Sequence, residues 1–218
     1  LALESELGRP TGQRRNLSGL WVAATVMTLI GVVLLAVGLA SAGIIHIGPP
    51  PTLRGTIMET PYPAPDFHLT DQNNNPVAIS DYRGKVVVLT FLYTHCPDTC
   101  PLITAKLHQT VLDLGSDSGR VGILAVSVDP ARDTLADVRS YSEQKDMLTR
   151  WHYLIGTANQ LSPVWRSYGV AAVTDGSIVQ HSTPTYVIDP SGQVREIMES
   201  DFATTDLVHD IRALLSGA

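Results

Sequence analysis

The longest apolar stretch of the chain runs from Leu20 to Ile45, 26 residues without a charge. As a helix rising about 1.5 Å per residue it would span roughly 39 Å, more than the roughly 30 Å hydrocarbon core of a bilayer. Arg14 and Arg15 precede it, and Trp21 suits an interfacial anchor. The pattern predicts a transmembrane anchor over 20–46 behind a short cytoplasmic segment, 1–19. The positive-inside bias then puts everything beyond it on the extracytoplasmic side of the cytoplasmic membrane. A cleaved signal peptide competes, because Ala40-Ser41-Ala42 has the small-residue pattern of a cleavage site. The apolar run exceeds the usual h-region of about 7–15 residues, which favours the anchor. Both readings place the remainder in a compartment where disulfides persist.

Prolines follow: Gly48-Pro49-Pro50-Pro51, then Pro61, Pro63 and Pro65. They predict a stiff spacer over 47–61 and a folded domain over 62–218. Phe67-His68-Leu69 and Val77-Ala78-Ile79 flank the turn-rich Asp71–Asn75 segment and read as a β-hairpin. Unbroken apolar runs at 86–93 and 121–128 read as buried strands. Helical spacing of Leu102, Ile103, Leu107, Val111 and Leu114 predicts a helix over 102–114. Further helices are expected from Asp133 or Thr134 to Met147, over 160–168, and from Thr204 or Thr205 to Leu215. Short strands are expected at 153–155, 185–188 and 194–198, the last two joined by Asp189-Pro190-Ser191-Gly192. A βαβ half followed by a ββα half is an α/β pattern. With cysteines after the first central strand, it predicts a thioredoxin-like fold with an N-terminal β-hairpin, preceded by one transmembrane helix.

Composition narrows this little. The 44% hydrophobic content supports a core, and a net charge of −6 without a basic stripe argues against nucleic-acid binding. Residues 1–48 hold three arginines against two glutamates, +1, so the remainder carries −7.

Chemistry concentrates in Cys96-Pro97-Asp98-Thr99-Cys100-Pro101, which holds both cysteines of the chain. A four-residue separation puts both thiols on one side of a helix, and a helix N-terminus favours thiolate. Two thiolates are too few for a structural zinc site and suit Cu(I). Of the seven histidines, His46, His68, His95, His108, His152, His181 and His209, His181 is the best placed third ligand. It precedes the 185–188 strand on a loop expected to pack against the cysteine loop. His95 adjoins Cys96 and reads as a supporting or structural residue. The same thiols suit thiol–disulfide exchange, and Pro184 stands where thioredoxins carry a cis-proline. A permanent structural disulfide is the plain alternative.

Four segments now carry a resemblance. Tyr93–Pro101, Val126–Thr134, Trp165–Val170 and His181-Ser182 with Tyr186–Gly192 resemble, in order, the landmarks of the Sco (SenC/PrrC) copper chaperones. The resemblance covers roughly residues 62–218. It implies copper bound by Cys96, Cys100 and His181, and a role in assembling the dinuclear copper centre of cytochrome c oxidase subunit 2. It implies a copper donor protein as a second partner. Asp98 is then an acid beside the site or a carboxylate serving the helix N-terminus. Asp129, Arg132 and Asp133 read as structural, an ion pair and a helix cap. Family members commonly carry another residue at Pro184, so its presence keeps a reductase role open.

Overall fold

A computed structural model describes residues 17–41, 52–175 and 178–217; the side chains of residues 17–20, 22–23, 36–41, 172–175 and 178–181 lie outside the description. Two compact units divide at Gly48 and Pro49.

The first unit contains α1 (Leu17–Ser41), 25 residues without a charge. Its described side chains, Trp21 and residues 24–35, are exposed throughout. Thr25 and Thr28 bond back to the carbonyls of Trp21 and Ala24 at 3.1 and 2.8 Å. The stretch with described side chains is shorter than a membrane span. Among the described residues no helix is long and apolar enough to cross a membrane. The expected cytoplasmic segment up to residue 16, and residues 42–51 around the end of the expected anchor, lie outside the described residues.

In chain order the second unit contains β1 (Thr56–Pro63), β2 (His68–Thr70), β3 (Pro76–Ala78), β4 (Val86–Leu92), α2 (Thr99–Leu114), β5 (Val121–Ser127), α3 (Leu135–Gln144), β6 (His152–Leu154), α4 (Ala158–Ser167), β7 (Ala172–Asp175), β8 (Ile178–His181), β9 (Thr185–Ile188), β10 (Gln193–Met198) and α5 (Thr204–Leu215). Six strands form one sheet in the order β1-β10-β9-β4-β5-β6. β4, β5 and β6 are parallel, whereas β9 is antiparallel to β4, β10 to β9 and β1 to β10. All seven residues of β4 are buried, as a central strand covered on both faces requires. β10 alternates half-buried and buried positions, the signature of a strand with one inner face. α2 packs on α5, and α5 on β4. Phe91 and Tyr186 meet Tyr168, which also meets Phe67, so β4 and β9 are tied to the segments before the hairpin and after α4.

The expected α/β order stands, with three departures. β1 takes up residues 56–61 of the expected spacer. Its prolines are tolerated because it is an edge strand, where a missing N–H breaks no ladder. α2 begins at Thr99, not Leu102, so that Pro101 falls on the third helical residue, where the N–H has no intrahelical partner anyway. The β7–β8 hairpin occupies residues for which the sequence pattern predicts no element.

Candidate metal centre

β4 carries the chain to the C-terminal edge of the parallel strands, and Val128 N–H bonds Leu92 O at 2.9 Å as β5 ends beside it. The chain then turns, with Cys96 N–H on Tyr93 O at 3.3 Å. Asp98 is the N-cap of α2 and Cys100 lies in its first turn. Cys96 is half-buried and Cys100 fully buried, and both are free thiols.

The Cys100 N–H points at Cys96 Sγ, 3.4 Å away. The Cys100 side chain also hydrogen-bonds the Cys96 sulfur, and the backbone N–H groups of Asp98 and Cys100 and the Tyr93 side chain add to it. Together these outweigh burial and hold Cys96 down to about 5. The same bond to Cys96, together with burial, pushes the Cys100 thiol far above the usual range. At neutral pH the pair therefore holds one proton: thiolate on the accessible sulfur, thiol on the enclosed one. Two soft sulfurs of this kind fit Cu(I). A metal taken by both must displace the Cys100 proton.

The remaining expected site residues separate. Asp98 is exposed and its carboxylate makes no capping hydrogen bond; its backbone N–H is what reaches Cys96. His95 is exposed, with Nδ1 2.9 Å from Thr94 Oγ1. Pro184 precedes β9 through a trans peptide, because no described peptide bond is cis. The expected parallel with the thioredoxin proline therefore fails in backbone geometry; trans is the ordinary preference for such a bond. His181 is the last residue of β8, not part of a loop, and its side chain lies outside the described residues. β9 runs antiparallel to β4, so the chain leaving His181 heads in over the end of β4 from which the cysteines emerge. Among the described residues no group of three or more His, Cys, Asp or Glu side chains is placed to hold a metal. His108, His152 and His209 each meet an aspartate away from the cysteines, Asp146, Asp71 and Asp210.

One residue is closer to the cysteines than its sequence context suggested. Asp129 and Arg132 form the expected ion pair, but the cap of α3 is Thr134, whose hydroxyl accepts Asp137 N–H. Asp133 is buried beneath the cysteine turn. Its Oδ1 accepts Thr94 N–H at 3.0 Å and Thr94 Oγ1–H at 2.6 Å; its Oδ2 accepts Ser127 Oγ–H at 2.6 Å and Tyr153 OH at 3.4 Å. It thus ties the turn before Cys96 to the ends of β5 and β6. Burial, against these hydrogen bonds, raises the Asp133 carboxyl above the usual carboxylate range. Trp165 adds a second tie, donating Nε1–H to Ser127 O at 2.9 Å.

Known proteins place this arrangement. A family model described as SCO1/SenC matches residues 57–216. The SCO2 homolog, mitochondrial, of Bos taurus is 38% identical over 135 residues, 58% of this chain and 50% of that protein. SCO2, mitochondrial, of Saccharomyces cerevisiae is 31% identical over 158 residues, 67% of this chain and 50% of that protein. The matched region thus spans about half the length of these relatives. Among solved structures, Bradyrhizobium japonicum ScoI with copper bound superposes with TM-score 0.64 at 29% identity, covering 71% of this chain and all (100%) of that one. Apo Sco1 from Thermus thermophilus gives 0.67 at 30% identity over 77% of this chain and 100% of that one. Yeast Sco1 with copper bound gives 0.63 at 27% identity over 72% and 91%. With its cysteine turn, its sheet order and three quarters of its length in register with one family, the chain belongs to the SCO1/SenC family.

Proposed function

We propose that this chain is a membrane-anchored copper metallochaperone that helps assemble the dinuclear copper centre of cytochrome c oxidase subunit 2. Cys96, Cys100 and His181 are its copper ligands. It takes copper from a donor protein and passes it on outside the cytoplasm. The observation that carries the reading is the close thiol pair at the start of α2, with Cys100 N–H 3.4 Å from Cys96 Sγ, Cys96 half-buried and Cys100 buried. It offers an accessible thiolate for the first bond to an incoming metal and an enclosed second sulfur to close the site. His181 is chosen because the chain that follows it enters the sheet beside β4. An imidazole with two sulfurs suits either copper oxidation state. The anchor rests on the uncharged sequence run from Leu20 to Ile45 and on Arg14 and Arg15 ahead of it.

Copper titration of the full chain in detergent tests the ligand set. One copper per chain is expected, with weaker binding in both oxidation states for His181→Ala. Equal binding by His181→Ala removes His181 from the set.

A second reading has its own support in the unequal exposure of the two sulfurs: Cys96 is reachable and Cys100 has a relative exposure of 0%. That arrangement suits a thiol–disulfide reductase keeping the subunit 2 cysteines reduced. Cys96 thiolate would attack the partner disulfide, and Cys100 would then displace the partner thiol, leaving a Cys96–Cys100 disulfide and a reduced partner. Copper-free transfer of two electrons to a disulfide form of the target favours this reading; a Cys96–Cys100 disulfide that physiological dithiols leave intact opposes it.

A further inference from the structure

Two acids occupy core positions away from the cysteines. The inner face of β10 reads Val194, Glu196, Met198, and that of α5 includes Leu207, Asp210, Ile211 and Leu214. Glu196 and Asp210 are both fully buried. A buried carboxyl must find donors or keep its proton. Asp210 finds donors: Oδ2 accepts Arg54 N–H at 2.9 Å and Oδ1 meets His209 Nδ1 at 2.7 Å. Glu196 Oε2 accepts Gly55 N–H at 3.1 Å, but its Oε1 is buried without a partner. Asp210 lies within hydrogen-bonding reach of Glu196. A proton on Glu196 removes one of two like charges from a dry site.

We propose that Glu196 and Asp210 form a proton-held latch that fastens the Arg54–Gly55 backbone, and with it the start of β1, to β10 and α5. The fit at the latch is close: a Cβ on Gly55 would lie 2.8 Å from Glu196 Oε2 and 3.1 Å from the Met198 side chain. The strand it secures is weakly held elsewhere. β1 is exposed along nearly all its length, and its register on β10 shifts between Ile57 and Tyr62. Other charges near the pair have their own partners. Arg54 bonds Asp206 of α5, and Arg195 of β10 bonds Asp189, while His209 meets Asp210.

Burial, and after it the Asp210 charge, raises the Glu196 carboxyl to about 8. The latch is therefore strongest in acid, weakens as pH rises, and loses its proton in place at about 8. Opening frees the first pairs of β1 on β10. None of this depends on copper, so it stands or falls separately from the chaperone reading.

Amide hydrogen exchange of the full chain in detergent, corrected for intrinsic rates, reads the latch directly. Protection at 55–57 is expected to fall progressively, about 30-fold in all, between about pH 4.5 and 8, and to level off above the Glu196 midpoint. In Glu196→Gln, which is neutral at every pH, protection is expected to stay level. Gly55→Ala is expected to be unprotected there already at about pH 6. Level protection in the parent, or a pH-dependent fall in Glu196→Gln matching the parent, overturns the latch. Should Glu196→Gln not fold, carboxyl carbon NMR on the parent decides: a Glu196 midpoint near 8 supports the latch, and one in the ordinary carboxylate range overturns it.

Discussion

Two pairs of acids in this domain each hold one proton, and their surroundings drive them in opposite directions. Cys96 and Cys100 sit at a helix start, where the Cys100 thiol, and after it backbone N–H groups, point at one sulfur and Cys96 falls to about 5. Glu196 and Asp210 sit between a strand and a helix, where burial dominates and Glu196 rises to about 8. The first pair exposes its charge and keeps its proton inside. The second has no exposed member, so losing its proton is the disruptive event. Donor geometry decides which pair is reactive and which is structural.

The largest expected effect comes from removing one sulfur from the reactive pair. Cys96→Ser or Cys100→Ser is expected to lower Cu(I) affinity by well over the ~100-fold that losing a supporting contact costs. Competition with a chelator measures it.

The proton itself is next. Cys96 is already thiolate above about 5, so the proton displaced at neutral pH comes from Cys100. Cu(I) affinity should therefore rise about tenfold per pH unit between roughly pH 6 and 8. A chelator-corrected affinity that is level over that range contradicts the one-proton description.

Loosening the turn beneath the cysteines should do less. Asp133→Ala removes the acceptor of Thr94 and Ser127; a loss of roughly 10- to 100-fold in copper affinity is expected. Asp133→Asn keeps an acceptor for Thr94 and should recover most of it. Equal losses in both variants would point to the carboxylate charge and not to the turn geometry.

The smallest effect tests the buried pair. The unfolded chain loses the Glu196 proton in the ordinary carboxylate range, whereas the folded chain keeps it to about 8. Stability from this group is thus full in acid and falls as pH rises through that window. Relative to Glu196→Gln, the parent should lose roughly 2 kcal/mol from pH 4.5 to 8. Denaturant midpoints at both pH values give the difference.

The two pairs were unequally legible in the sequence. β4 announces itself as an unbroken apolar run, and two solitary cysteines directly after it mark the site. β1 is hidden by Pro61 and Pro63, which read the same in a spacer as in an edge strand. The β7–β8 hairpin had a signal in Asp175-Gly176, a pair favoured in tight turns, but its strands are short. Asp133 gives no local sign of its role, because Thr94, Ser127 and Tyr153 reach it from three separate elements. Glu196 becomes conspicuous only once the inner face of β10 is known. Local pattern shows where the chain is apolar; it does not show which distant polar groups meet.

The absorption spectrum of the Cu(II)-loaded full chain tests the copper-site claim most directly. A thiolate-to-Cu(II) charge-transfer band is expected in the parent and absent from Cys96→Ser and Cys100→Ser. Copper bound by the parent without that band, or a band unchanged in both variants, would contradict a site built on these two sulfurs.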